Sequence, residues 1–141
     1  MITGHNHTSF TVSDLERSVD FYTGVLGFTL ERRFEVEGAG ISSIVGFDGA
    51  HLKIAFVRLG DFRLELVEYV APPGRKLETA TNNVGSAHIA FTTDDVDATY
   101  EELKAMGIRF RNAPTRSRAD RPRVAYFHDP DGYTLEIVEP L

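Results

Sequence analysis

The sequence predicts an α+β fold made of two tandem βαβββ modules, and two duplicated stretches carry the prediction. FRLELVE at Phe62–Glu68 returns as YTLEIVE at Tyr133–Glu139, and HTSFTVSD at His7–Asp14 returns as HIAFTTDD at His88–Asp95. Successive side chains of an extended strand alternate between its faces. Leu64 and Leu66 therefore turn one way and Glu65 the other, as Leu135 and Ile137 do around Glu136. The histidine opening each unit stands an odd number of residues from its phenylalanine, so His7 and His88 face away from Phe10 and Phe91. Each unit thus places one imidazole and one carboxylate on the face that its apolar residues leave bare.

The remaining elements follow in order. Ser13 to Glu16 reads as a capping box, opening a helix whose stripe is Leu15, Val19, Tyr22 and Leu26 and whose stop is Gly27. A strand runs from Phe28 to Val36. The apolar insert from Glu37 to Gly49 has two readings, a lid and a surface loop folded on the sheet edge. His51–Leu59 turns at Gly60-Asp61 into the Glu65 strand, and Ala71 to Ser86, with Pro72-Pro73-Gly74, is the joint. In the second unit Thr93 or Asp94 caps a helix bearing Val96, Tyr100 and Leu103, and Met106-Gly107-Ile108 repeats Leu26-Gly27-Phe28. Strands Ile108–Asn112 and Arg123–His128 come next, and Pro130-Asp131-Gly132 turns into the Glu136 strand. A unit of this order covers one sheet face with its helix and leaves the other bare, so two units side by side would line a cleft. The organisation expected is one domain over residues 1–141, with module one at about 4–70, a linker at about 71–86 and module two at about 87–141.

Composition narrows the partners. A chain of 141 residues with 42% hydrophobic content has material for a core, and it contains neither an apolar run long enough for a membrane helix nor a signal peptide, so it is expected to be cytoplasmic. The absence of cysteine removes disulfides and thiolate chemistry and restricts metal binding to nitrogen and oxygen donors. A net charge of −6 and the lack of a basic run interleaved with aromatics argue against nucleic acid and anionic membranes, leaving a small molecule as the expected partner. Arg116, Arg118 and Arg121, with Arg109, Arg111 and Arg123 beside them, form a local basic stretch that reads either as a solvated loop or as a holder for an anionic substrate group. His5 shares the face of His7 and reads as a surface imidazole. His51, His128 and Tyr126 receive no role. Glu68 and Glu139 also repeat, but their odd offset from Glu65 and Glu136 assigns them to solvent.

HTSFTVSDLERSVDFYTGVLGF, GSAHIAFTTDDVDATYEELKAMGIRF and YFHDPDGYTLEIVE together resemble the vicinal oxygen chelate superfamily, the group of glyoxalase I, methylmalonyl-CoA epimerase, extradiol dioxygenases and bleomycin or fosfomycin resistance proteins. The ligand pattern is nearest to glyoxalase I. The resemblance implies a glyoxalase-like open-barrel cleft, and a divalent ion (Zn, Ni, Co, Mn or Fe) held by His7, Glu65, His88 and Glu136. It implies a metal-dependent lyase or isomerase acting on a small carbonyl substrate, with Glu136 or Glu65 as the general base of an enolate-forming proton transfer. Two alternatives accompany it: an Fe(II)-dependent ring-cleaving dioxygenase using His7, His88 and Glu136, and a bleomycin-resistance-type protein that binds a small molecule without metal. It further implies a homodimer with the site at the chain interface, each chain giving one His/Glu pair to a site. The glutathione-specific pattern of an arginine four residues after the first ligand and an asparagine four after the second is replaced here by Thr11 and Tyr69.

Overall fold

His7 leads directly into β1 (Thr8–Thr11), which α1 (Leu15–Asp20) follows; the same helix continues as one π turn over Phe21–Val25. β2 (Thr29–Glu37), α2 (Ala39–Val45), β3 (His51–Leu59) and β4 (Phe62–Ala71) complete the first half. The second half consists of β5 (His88–Thr92), α3 (Val96–Ala105), β6 (Arg123–His128) and β7 (Thr134–Glu139). These elements belong to a computed structural model that describes residues 1–141, in which the chain divides into two compact units, Met1–Lys76 and Leu77–Leu141.

The first unit's sheet has the order β1-β4-β3-β2, and the second unit's has β5-β7-β6. In both, the opening strand lies parallel to the closing strand while the strands before it pair antiparallel. Neither sheet closes on itself. The expected strand at Ile108–Asn112 forms no ladder. Phe110 makes a single bridge to Phe127, Arg111 N donates to Tyr126 O at 2.7 Å, and the run then ends. The cause is Asn112, whose side chain takes the bonds that a strand backbone would have made. Its Oδ1 accepts from Tyr126 N at 3.0 Å, and its Nδ2 donates to Val124 O at 3.0 Å.

Each helix packs its stripe on one sheet face. Leu15, Val19 and Tyr22 are buried with Phe10, Val57, Leu64 and Leu66 in the first unit, and Val96 and Leu103 with Ala125, Phe127, Leu135 and Ile137 in the second. The helix starts sit one residue beyond the expected caps. Asp14 Oδ1 accepts from Arg17 N at 3.0 Å, and Asp95 Oδ1 accepts from Ala98 N at 2.9 Å, so the cap is the aspartate that the repeat itself preserves. Gly27 and Gly107 end the two helices at φ 74° and 90°, conformations a side chain would strain.

Glu68 and Glu139, expected in solvent, have a structural task instead. Glu68 Oε2 accepts from Leu15 N at 2.8 Å, and Glu139 Oε2 accepts from Val96 N at 3.2 Å. The opposite face is the helix face, and there a carboxylate at the strand end meets the unpaired N–H groups of the first helical turn.

The apolar insert is a short helix pinned by its own serine. Ser42 Oγ accepts from Ala50 N at 3.1 Å, and Gly46 closes the helix in the left-handed region. Ile41 and Val45 pack with Val36 and Tyr69 on the buried cluster Ala50, Leu52, Ile54, Phe56 and Val67. α2 thus covers the far part of the first unit's otherwise bare sheet face and leaves the β1 end uncovered. No helix is long and apolar enough to cross a membrane.

Candidate functional site

The uncovered end of the first sheet is where His7 and Glu65 meet. Ser9 pairs with Glu65 across the parallel β1–β4 ladder, and His7, two residues before Ser9, points to the same face. Its Nε2 lies 3.5 Å from Glu65 Oε2. The ring stands edge-on to Phe56, the residue opposite Glu65 on β3, with centroids 5.4 Å apart. His7 Nδ1 lies 2.7 Å from Asn6 Oδ1, which leaves Nε2 as the nitrogen facing the carboxylate. A proton or a cation shared between the two would suit that range.

The second unit repeats the arrangement by the same offsets. Ala90 pairs with Glu136, His88 stands two residues before it, and His88 Nε2 is 3.2 Å from Glu136 Oε2. Glu136 is 8% exposed. Opposite it on β6 stands Tyr126 in place of Phe56, with its ring 5.6 Å from that of His88. Burial and the neighbouring Glu136 carboxylate both raise the Tyr126 phenol above its ordinary value, so at neutral pH the phenol keeps its proton on the rung facing Glu136. Thr134, in register with both His88 and His128, has a wholly buried hydroxyl with no hydrogen-bond partner.

Two donors each about 2.1 Å from one ion stand about 3.0 to 3.4 Å apart at octahedral or tetrahedral angles. The observed separations of 3.5 and 3.2 Å match the edge of such a shell. The donor set, imidazole nitrogen with carboxylate oxygen, suits a borderline divalent ion. Within neither unit does a third His, Asp or Glu join its pair. Each unit therefore brings together two candidate donors, fewer than a metal shell needs.

The basic stretch is dispersed. Arg123 pairs with Asp97 at 2.6 Å, Arg118 with Asp120 at 3.2 Å, and Arg116 donates to Ala119 O. Arg111 alone of that stretch lies against the site, its guanidinium 5.6 Å from the Tyr126 ring centroid. His5 Nε2 lies 3.3 Å from Thr8 Oγ1, and His51 is 3.3 Å from Glu35; neither reaches a His/Glu pair. Tyr126, His128 and Asn6 are the residues that sequence reasoning left without a role, and Arg111 is the one member of the basic stretch whose expected anion-holding role the contacts favour. The signal for two of them was the alternation in Arg123–His128, which puts Tyr126 and His128 on the face of Glu136.

Known proteins share this fold. The Glyoxalase/Bleomycin resistance protein/Dioxygenase superfamily matches residues 4–137. The chain is similar to a 2-epi-5-epi-valiolone epimerase of Actinomyces sp, 35% identical over 142 residues spanning 94% of this chain and 77% of that protein. It is likewise similar to a probable lactoylglutathione lyase of Vibrio cholerae, 30% identical over 135 residues that cover 94% and 88%. A glyoxalase family protein from Bacillus cereus shares the fold at a TM-score of 0.88, with 23% identity and coverage of 100% and 96%. A mutant of the fosfomycin resistance protein FosX from Listeria monocytogenes, solved with Mn(II) and a dihydroxypropylphosphonic acid, matches at a TM-score of 0.68, 26% identity and coverage of 98% and 90%.

Proposed function

The chain belongs to the Glyoxalase/Bleomycin resistance protein/Dioxygenase superfamily, and from that premise we propose that it is a divalent-metal-dependent lyase or isomerase acting on a small carbonyl substrate. The observation that carries the reading is the repeated pair: an imidazole nitrogen and a carboxylate oxygen at 3.5 Å in one unit and 3.2 Å in the other, at equivalent positions of a duplicated fold. We assign His7, Glu65, His88 and Glu136 as the ligands of one ion, with the two units acting as one domain within a homodimer. When bound, the ion supplies Lewis-acid polarisation of the substrate carbonyl oxygen.

The two carboxylates divide the remaining work. Glu136 is buried with the protonated Tyr126 phenol on the facing rung, which suits a fixed ligand. Glu65 faces the hydrocarbon ring of Phe56, which offers no such donor, so it is the freer of the two to turn toward substrate. In this assignment Glu65 takes the proton from the carbon next to the carbonyl, leaving an enolate, and returns it to that carbon or its neighbour. Inversion of that carbon, the outcome of an epimerase, requires a second acid on the opposite face to deliver the proton there. On a hydroxyketone, passage of the hydroxyl proton to the carbonyl oxygen with return of the carbon proton to the neighbour moves the carbonyl. Tyr69, in the place of the glutathione-specific asparagine, is packed under α2 with Phe47, which favours a substrate other than a glutathione adduct.

The test is metal analysis of the purified protein followed by solvent deuterium exchange into hydroxyketones, acyl-CoA thioesters and 2-oxo thiohemiacetals with metal supplied. The expected result is one ion per chain and exchange at a single carbon of a hydroxyketone, lost on Glu65→Gln. Bound iron with oxygen uptake would move the assignment to the ring-cleaving dioxygenases. Tight small-molecule binding without metal would move it to the sequestering proteins.

A further inference from the structure

The bare face of the second unit carries a guanidinium that has been oriented but not neutralised. Arg111 Nη2 donates to His128 Nε2 at 3.2 Å, Nη1 donates to Thr81 Oγ1 at 3.4 Å, and the group stands 5.6 Å from the Tyr126 ring centroid. All three partners are uncharged. His128 accepts that bond through Nε2 only as a neutral imidazole, and burial together with the Arg111 charge holds its pKa below the usual histidine range. No carboxylate pairs with Arg111, although Arg118 and Arg123 of the same unit each have one.

This is an unusual use of an arginine. A solvated guanidinium needs no support, and a structural one pairs with an acid. Arg111 has its orientation fixed by neutral groups while part of its donor fork stays unused, the arrangement that receives an anion in two parallel hydrogen bonds. Its position is equally specific. The chain of contacts from Arg111 to the Tyr126 ring, and from that ring to His88 and Glu136, places the free donors beside the second His/Glu pair. The first unit repeats the arginine. Arg32, opposite Phe56 in the ladder, stands 4.7 Å from that ring and also lacks a carboxylate.

We propose that Arg111, steadied by His128, Thr81 and the Tyr126 ring, binds an anionic group of the substrate, a carboxylate or phosphate carried on the same small molecule as the reacting carbonyl. The substrate class thereby narrows from small carbonyl compounds to small anionic ones; this rests on the function proposed above for its catalytic half and on Arg111 alone for its binding half.

The two halves are tested separately. First, the protein is titrated with inorganic phosphate and, in a second arm, with lactate, while the His128 imidazole resonances are followed by NMR. Saturable shifts of His128 with either ion are expected, at least 10-fold weaker in Arg111→Gln, intermediate in Arg111→Lys, and unchanged in Arg118→Gln, which tests for a general basic field. Whichever ion binds tighter identifies the group. Absence of saturation, or equal binding by Arg111→Gln folded as judged by its amide spectrum, overturns the proposal. Second, deuterium exchange is compared between a phosphorylated or carboxylated hydroxyketone and its neutral analogue. Arg111→Gln is expected to raise KM for the charged one about 10- to 100-fold with little change in kcat, and to lower its preference over the neutral one by the same factor. Exchange that is indifferent to Arg111 sinks the anion site and spares the enzyme; ion binding without exchange in any substrate does the reverse.

Discussion

Phe56 and Tyr126 occupy the same rung of two homologous ladders and differ by one hydroxyl group, yet that oxygen separates the two acids. A protonated phenol stands opposite Glu136 as a potential donor, whereas Phe56 offers none to Glu65. Removing the hydroxyl with Tyr126→Phe therefore makes the second pair resemble the first. The expected outcome is metal affinity weakened about 10-fold, in line with the loss of an outer-shell hydrogen bond to a ligand, with the fold intact. Competitive chelation measured on the variant checks this, and unchanged affinity would show that the phenol does not position Glu136. The sequence singled out His7, Glu65, His88 and Glu136 because they repeat, and the structure brings each His/Glu pair together. The sequence hid Tyr126 because the residue that matters is the one place where the copies diverge, and a search for identity between copies passes over it. Arg111 was hidden differently: it stood among six arginines of like composition, and only contacts distinguish the oriented one from those paired with Asp97 and Asp120.

At the level of elements, two strands were legible to the residue, His51–Leu59 and Arg123–His128. Arg123–His128 buries Ala125 and Phe127 and exposes their neighbours more, so pattern and structure coincide there, while His51–Leu59 is buried on both faces over Ile54–Val57 and was bounded by its turns. Ile108–Asn112 has the same β-compatible residues but lost its ladder to an asparagine side chain, a competition that periodicity does not register. α2 was equally opaque, since Ala39–Val45 is short and contains a glycine and two serines; what makes it helical is the seating of Ile41 and Val45 on the sheet. Glu68 and Glu139 show the opposite error, in which the correct face was inferred and the helix end waiting there was not. Their role gives a graded expectation. Glu68→Ala removes a bond of 2.8 Å from the first turn of α1 and should cost about 1 to 2 kcal/mol, the usual range for losing an N-terminal cap. Glu68→Gln keeps an oxygen acceptor and should recover most of the loss. Glu139→Ala breaks a longer bond, 3.2 Å, and should cost less. Urea midpoints at constant slope rank the three; indistinguishable midpoints would return both glutamates to solvent.

For the molecule as a whole, the duplication has a consequence that neither copy has alone. In the proposed site each unit would supply two ligands and no third, so a single unit could not complete the shell of an ion that prefers four or more protein and solvent donors held firmly. Two variants test how the halves combine: one with His7→Ala and Glu65→Ala, the other with His88→Ala and Glu136→Ala. Each alone is expected to bind no stoichiometric metal and to catalyse no exchange. Co-expressed under different tags, they assemble at random if the protein is a dimer, and half of the dimers contain one of each. Where a site draws its pairs from two chains, every such heterodimer has one intact site and one lacking all four ligands. The mixture should then recover about a quarter of wild-type activity, and the purified heterodimer about half, with one ion per dimer. Where both pairs come from the same chain, every site in the heterodimer lacks two ligands and nothing is recovered. Recovery thus measures, through stoichiometry alone, whether duplication of the fold was followed by exchange of its halves between subunits; full metal binding by either variant on its own would show instead that the two pairs never shared an ion.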